Sequence, residues 1–330
     1  MENVILGTMN ILYPYSSSQL QINDYKVMID SYLSETNASS AVLDTAYYYA
    51  NGECERVLGE ILPQLAYCPK ISTKVNPWFE NDFQNGKLGQ LSREPLKKQL
   101  STSLKNLRQE KVEYLFLHCH DYETPLEETL DTCNTLWRQD KFNYLGISNF
   151  SFVELDNVID ICEKYGYVFP SYYQGMYNLI CRKVERVLPY LHDNNIEFWA
   201  YNPLAGGLLS GKYNHYCFED ITCSSSLQNN RFKNNQIYQN IFWKPQIIEH
   251  LQKNFFELES NTCIDYSFHW LQFLSGMHKT DKIIMGASNL GQLQQNMKII
   301  KSPKMYDIRT MGILKNIYHP ISMFTPNYYY

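Results

Sequence analysis

The sequence predicts an α/β protein: a closed (β/α)8 TIM barrel in a single domain over residues 1–330, with a long loop after the seventh strand. Three observations carry that prediction. Short runs rich in β-branched and aromatic residues alternate eight times with longer stretches of helical periodicity, the order expected of parallel strands with crossover helices. No G-x-G-x-x-G follows an early strand, which removes the fingerprint of an open dinucleotide-binding sheet. The chain has neither an internal repeat nor a composition break that would mark a domain boundary.

The expected strands are residues 3–9 (NVILGTM), 40–44 (SAVLD), 67–74 (YCPKISTK), 112–118 (VEYLFLH), 142–148 (FNYLGIS), 170–174 (PSYYQ), 196–201 (IEFWAY) and 282–287 (KIIMGA). Helices are expected near 17–36, 53–64, 93–108, 125–139, 151–165, 182–194, 262–275 and 290–300. Local punctuation supports several of them. Pro125 precedes LEETL and puts acids in a first turn, where the helix dipole favours them. Ser151 is placed to cap the fifth helix and Gly166 to close it. Glu53 and Glu55 read as acids favouring the start of the second. About sixty residues separate Tyr201 from the seventh helix and include the polar tract SSSLQNNRFKNNQ; a connection that long is usually functional or partly helical.

Composition narrows the function. Lys and Arg number 29 against 34 Asp and Glu, a net charge of −5 with no basic block, which argues against nucleic acid as the main partner. No apolar run approaches the ~20 residues that span a bilayer, and the first residues lack a signal-peptide pattern. Nine cysteines with no C-x-x-C pair suit a reducing compartment. The expectation is a soluble cytoplasmic protein with no membrane or nucleic-acid partner, in which the sequons at Asn37 and Asn149 carry no sugar.

In a (β/α)8 barrel the chemistry gathers at the C-terminal ends of the strands. Those ends carry Asp44, with Tyr49 five residues on, then Lys74, His118, Ser148–Asn149, Gln174, Tyr201–Asn202 and Gly286–Ala287–Ser288. A phenol normally titrates near ~10, and a neighbouring ammonium lowers that value by stabilising the phenolate. Lys74 is the candidate ammonium and Asp44 the carboxylate that holds it. His118 is placed to hydrogen-bond a substrate oxygen. Such a group delivers a proton to oxygen, and a hydride from a nicotinamide would complete a carbonyl reduction.

At these residues the chain resembles the aldo-keto reductases, and within them the aflatoxin aldehyde reductase branch. The resemblance runs through LDTAYYYANGECERVLGEIL, ISTKVNPW, YLFLHCHDYETPLEETL, FNYLGISNF, YYQGMYN, FWAYNPLAGGLLSGKY and IIMGASNLGQLQQNM, in order. It implies Tyr49 as general acid, with Asp44, Lys74 and His118 completing a catalytic tetrad. It implies Ser148, Asn149 and Gln174 on the nicotinamide carboxamide and Tyr201 stacked on its ring. Asn202, Leu204 and Gly206 belong to the segment implied to lie over the pyrophosphate, and Gly286, Ser288, Gln292, Gln295 and Asn296 to the adenosine half. NADPH is the implied cofactor, with Lys212 and Arg231 as candidates for its 2′-phosphate. Trp78 is expected at the substrate mouth, and no metal is expected. The branch implies a homodimer, the wider family a monomer.

The chain departs from the family pattern in three places: Ala50 stands where a glycine is usual, Ile241 where the branch has a basic residue, and the tail runs Tyr328–Tyr329–Tyr330 where the branch usually has an arginine shortly after PNY. These changes favour aromatic or uncharged carbonyls over carboxylate-bearing aldehydes. Two other functions compete. The H-x-H of His118 and His120 suits a metal-dependent hydrolase, although Lys74, Ser148 and Gln174 are poor zinc ligands. Potassium-channel β-subunits share the family and keep the tetrad, so an interaction subunit is the other alternative.

Overall fold

A computed structural model describes residues 3–9, 22–82, 86–211, 236–258 and 263–329. Eight parallel strands close into a barrel in chain order: β1 (Val4–Gly7), β2 (Val42–Asp44), β3 (Lys70–Val75), β4 (Val112–Leu117), β5 (Phe142–Ser148), β6 (Pro170–Met176), β7 (Glu197–Tyr201) and β8 (Lys282–Met285). Closure is made by β1 pairing with β8, Ile5 opposite Ile284. The expected topology is therefore the observed one, and each strand falls within two or three residues of its expected span.

Around the barrel lie α1 (Ile22–Ser34), α2 (Glu53–Ile61), α3 (Arg93–Leu107), α4 (Leu126–Arg138), α5 (Phe152–Tyr165), α6 (Leu188–Asp193), α7 (Gln236–Phe242), α8 (Pro245–Glu257), α9 (Cys263–His269), α10 (Leu290–Lys301) and α11 (Ile308–Asn316). Ser151 and Glu154 form a full capping box on α5, and Gly166 ends it at φ 64°. The helix expected over 182–194 is broken: a tight turn at Lys183–Arg186 precedes a short α6 carrying Pro189 in its first turn. The helix expected at 262–275 opens after His269 into a wider π-helical turn, Trp270–Leu274. Helices α7, α8 and α11 had no sequence expectation; α7 and α8 fall inside the stretch expected as loop.

Side chains on a strand alternate between barrel axis and helical coat. The axis is filled by Ile5, Val42, Tyr114, Phe116, Trp199 and Ile284. Tyr114 and Trp199 meet edge-on at 5.0 Å and Phe116 adds a layer above them. This aromatic plug gives Lys74 a floor, since its Nζ lies 6.0 Å from the Phe116 ring. The larger core, between strands and helices, mixes mostly aliphatic side chains with aromatics such as Tyr32, Phe198 and Trp270.

Gly59 sets the distance between α2 and α3. A Cβ there would lie 2.0 Å from the Asn106 carbonyl oxygen, a backbone atom that no rotamer change can remove. Gly59→Ala is expected to cost about 3 kcal/mol through overpacking, read as a lower urea midpoint with an unchanged slope.

Candidate active site

The site is assembled from the C-terminal ends of β2 to β8. Asp44 ends β2, and its register partner Ser72 on β3 donates to Asp44 Oδ1 at 2.8 Å. Two residues further on the same face, Lys74 Nζ donates to Asp44 Oδ2 at 2.7 Å and to the Thr45 carbonyl at 2.8 Å. Lys74 and Asp44 are 2% and 3% exposed, so the ion pair is sealed from water. Burial lowers the Lys74 pKa, and the Asp44 charge and hydrogen bond oppose that fall.

Tyr49 is brought over this pair by a strained turn. Ala50 and Asn51 are left-handed (φ 49° and 55°) and Gly52 follows at φ 88°. For a residue with a Cβ this conformation costs about 1–2 kcal/mol. Ala50, at the position where a glycine was expected, thus carries that strain. The Tyr49 ring centroid lies 5.4 Å from Lys74 Nζ and 6.0 Å from the His118 ring. All four expected tetrad residues thus meet at one point.

His118 follows β4, and its backbone N–H donates to Val75 O at 2.8 Å. Burial, assisted by the Lys74 charge, pulls its pKa down to about 3, so the imidazole is neutral near pH 7. Its Nδ1 has no hydrogen-bond partner among the described residues. The neutral tautomer with the proton on Nε2 satisfies that arrangement best and leaves Nε2–H as a donor. Trp78, only 7% exposed, stands 5.3 Å from the His118 ring and 5.4 Å from Tyr48, forming an aromatic wall. His120, the other histidine of the H-x-H, packs instead against Tyr122 and Phe150. The two imidazoles therefore sit in different surroundings, and among the described residues no group of three His, Cys, Asp or Glu could hold a metal ion.

The expected nicotinamide residues adjoin the tetrad and are linked to it. Asn149, left-handed at φ 61°, donates through Nδ2 to the His118 carbonyl at 2.9 Å and to Ser148 Oγ at 3.0 Å. Tyr201 OH donates to Asn149 Oδ1 at 2.7 Å. Gln174 Nε2 donates to Asp44 Oδ1 at 2.8 Å, which leaves the Gln174 oxygen as the acceptor end of the amide.

The segment Asn202–Gly211 after β7 turns sharply, with positive φ at Asn202, Ala205, Gly206, Gly207 and Gly211; the glycines adopt it freely, and strain falls on Ala205 and, less, on Asn202. The Asn202 side chain accepts from Gly206 N at 2.6 Å and braces the turn. Successive backbone N–H groups in such turns form concavities that suit anionic oxygens. On the neighbouring strand, Gly286 is exposed beyond β8. Asn289 caps α10 by accepting from Gln292 N, and Gln292 Oε1 accepts from Ser288 N at 3.0 Å. Gln295 is exposed on α10 and Asn296 buried. Lys212 and Arg231 lie outside the described residues.

A sequence profile of the Aldo/keto reductase family matches residues 3–317. The chain belongs to the aldo/keto reductase family. Among curated relatives it is similar to aflatoxin B1 aldehyde reductase member 2 of Mus musculus, 36% identical over 269 residues, covering 77% of this chain and 70% of that protein. It is also similar to aflatoxin B1 aldehyde reductase member 4 of Homo sapiens, 33% identical over 303 residues and 87% of each chain. Among solved structures, the aldo-keto reductase from Klebsiella pneumoniae in complex with NADPH superposes at TM-score 0.66 with 19% identity, covering 96% of this chain and 90% of that one. As an aldo/keto reductase the chain is an oxidoreductase on the family's barrel. No helix among the described residues is long and apolar enough to cross a membrane.

Three further residues of the site lie outside the sequence expectations for it: Ser72, Tyr48 and Glu55. Ser72 shares the inward face of β3 with Lys74, and strand alternation alone would have nominated it. Tyr48 packs edge-on to Trp78 and His118 and had no sequence expectation as a site residue. Glu55 stands in the first turn of α2 as expected, but it is also fully buried, which its place in the sequence does not announce.

Proposed function

We propose that this protein reduces aldehydes or ketones to alcohols with NADPH, Tyr49 supplying the proton. The observation that carries this reading is the sealed Lys74–Asp44 pair directly under the Tyr49 ring, beside a neutral His118. The Lys74 ammonium favours the phenolate and so raises the acidity of Tyr49. The His118 Nε2–H orients the carbonyl oxygen and stabilises the negative charge that grows on it. Tyr49 then donates its proton to that oxygen, and Asp44 keeps Lys74 charged and in place throughout.

The surroundings fit a nicotinamide dinucleotide. Ser148, Asn149 and the Gln174 oxygen offer polar atoms to a carboxamide, Tyr201 an aromatic face, and the sharp Asn202–Gly211 turn a cradle for phosphate. Gly286, Ser288, Gln292, Gln295 and Asn296 take the adenosine half on this reading, with Lys212 and Arg231 on its 2′-phosphate. When bound, the reduced cofactor supplies the hydride that joins the carbonyl carbon. Trp78 and Tyr48 form a flat apolar wall, and Ile241 packs into the core with no cation to offer. Uncharged and aromatic carbonyls follow as the substrate class.

On this reading the chain is one catalytic domain, in keeping with a family match that spans most of its length. A cytoplasmic location accords with nine cysteines, an odd count without a C-x-x-C pair. Light scattering distinguishes the dimer implied by the branch from a monomer.

The test is NADPH oxidation, followed by absorbance, across a panel of carbonyls, with cofactor binding read from Trp78-sensitive fluorescence. Turnover of aromatic and uncharged aldehydes with a preference for NADPH over NADH is expected. Saturable NADPH binding without turnover of any carbonyl would overturn the reading.

A further inference from the structure

The first turn of α2 places a second acid behind Lys74, on the outer side of β3. Glu53 is exposed and pairs with Arg56, but Glu55 is fully buried. Thr73 Oγ1 donates to Glu55 Oε1 at 2.5 Å, while Oε2 has no hydrogen-bond partner among the described residues. Because side chains alternate along a strand, Thr73 faces α2 while Lys74 faces the barrel axis. The carboxyl therefore sits against the outer face of β3, bonded to the residue next to Lys74, and its charge favours the protonated ammonium. Helix α2 follows directly on the strained Tyr49–Gly52 turn. The Thr73–Glu55 bond thus fastens to β3 the helix that follows the Tyr49 turn.

We propose that Glu55 is a positioning residue for the reduction: it locks the Tyr49 turn against β3 and governs, from outside the barrel, how firmly Lys74 holds its proton. The inference rests on the function proposed above. Burial pushes the Glu55 carboxyl up to about 7, opposed by Thr73, by Ser103 and Asn106 of α3, and by the Lys74 charge. Asp44 on β2 lies beyond Lys74. Arg56 pairs with Glu53 and Glu60 on the solvent side of α2, and Lys105 and Arg108 at the end of α3 are exposed. Glu55 is neutral below that range and ionised above it. Once ionised, it helps Lys74 stay charged as the pH rises.

The test is Glu55→Gln, which keeps the side-chain shape and removes the ionisation. Two quantities are read: the Lys74 titration by nitrogen NMR of isotope-labelled lysine, and kcat/KM against pH. Lys74 is expected to lose its proton at lower pH, and the alkaline limb of kcat/KM to move down by about one pH unit. Turnover then falls roughly tenfold at the alkaline end and stays near wild type at pH 6. NADPH affinity is unchanged, and Glu55→Asp restores the position of the limb. A purely structural residue would lower kcat/KM by one factor at every pH. Thr73→Val, which removes the donor to Oε1 and favours the neutral acid, shifts the limb the same way and serves should Glu55→Gln fail to fold. A wild type that reduces no carbonyl removes the functional reading and this role with it. An active wild type whose Lys74 titration and pH profile ignore both substitutions removes this role alone.

Discussion

Tyr49→Phe is expected to lower kcat/KM for carbonyl reduction on the order of 10³-fold while leaving NADPH affinity within about twofold. The argument is geometric. Phenylalanine keeps the ring that sits 5.4 Å from Lys74 Nζ and 6.0 Å from His118, so the aromatic packing survives. Only the hydroxyl is lost, and with it, on the proposed mechanism, the proton that the Lys74–Asp44 pair makes more acidic. His118 cannot take over as proton donor: burial and the Lys74 charge hold its pKa at about 3, so it carries no dissociable imidazolium proton at neutral pH. For the same reason the wild-type profile should show no histidine limb near pH 6. Steady-state kinetics at saturating NADPH, with cofactor titration by tryptophan fluorescence, separates the two effects. Retained turnover would remove Tyr49 from the chemistry. A fall in NADPH affinity as large as the fall in rate would move its role to binding.

Much of this site was legible because a barrel converts one-dimensional order into a ring. Each strand ends at the same rim, so Asp44, Lys74, His118, Ser148, Gln174 and Tyr201 could be collected from strand ends alone. Strand alternation puts Lys74 on the inward face of β3 and Thr73 on the outward one. The hidden features depend on contacts across the chain. The bond from Gln174 to Asp44 joins residues 130 apart, and no local pattern announces it. Glu55 looks like any acid in a first turn, and only the closeness of α2 to α3, enforced by Gly59, buries it. Ala50 gave a warning through its departure from glycine, but the backbone angle itself needed the structure. Helices α7 and α8 were absorbed into an expected loop because polar punctuation just before them masked their short apolar period.

Lys74→Met is expected to remove turnover on the order of 10³-fold and to destabilise the fold as well, by about 3–5 kcal/mol. The ammonium bonds Asp44 Oδ2 and the Thr45 carbonyl, while Ser72 and Gln174 both donate to the other carboxylate oxygen, Oδ1. Methionine fills the volume beneath Tyr49 but leaves Oδ2 and a carbonyl oxygen without their donor in a site sealed from water. A buried charge stripped of its partner is costly, whereas removal of both charges together is often nearly neutral. The double substitution Asp44→Asn, Lys74→Met should therefore recover most of the lost stability in urea melts, with a coupling of several kcal/mol between the two positions. It should not recover turnover, because neither a methionine nor an amide can favour the phenolate of Tyr49. That split separates two roles of one ion pair. Stability depends on the charges being matched, and catalysis on a positive charge being there. Turnover that returned together with stability would mean that Lys74 only holds the site together.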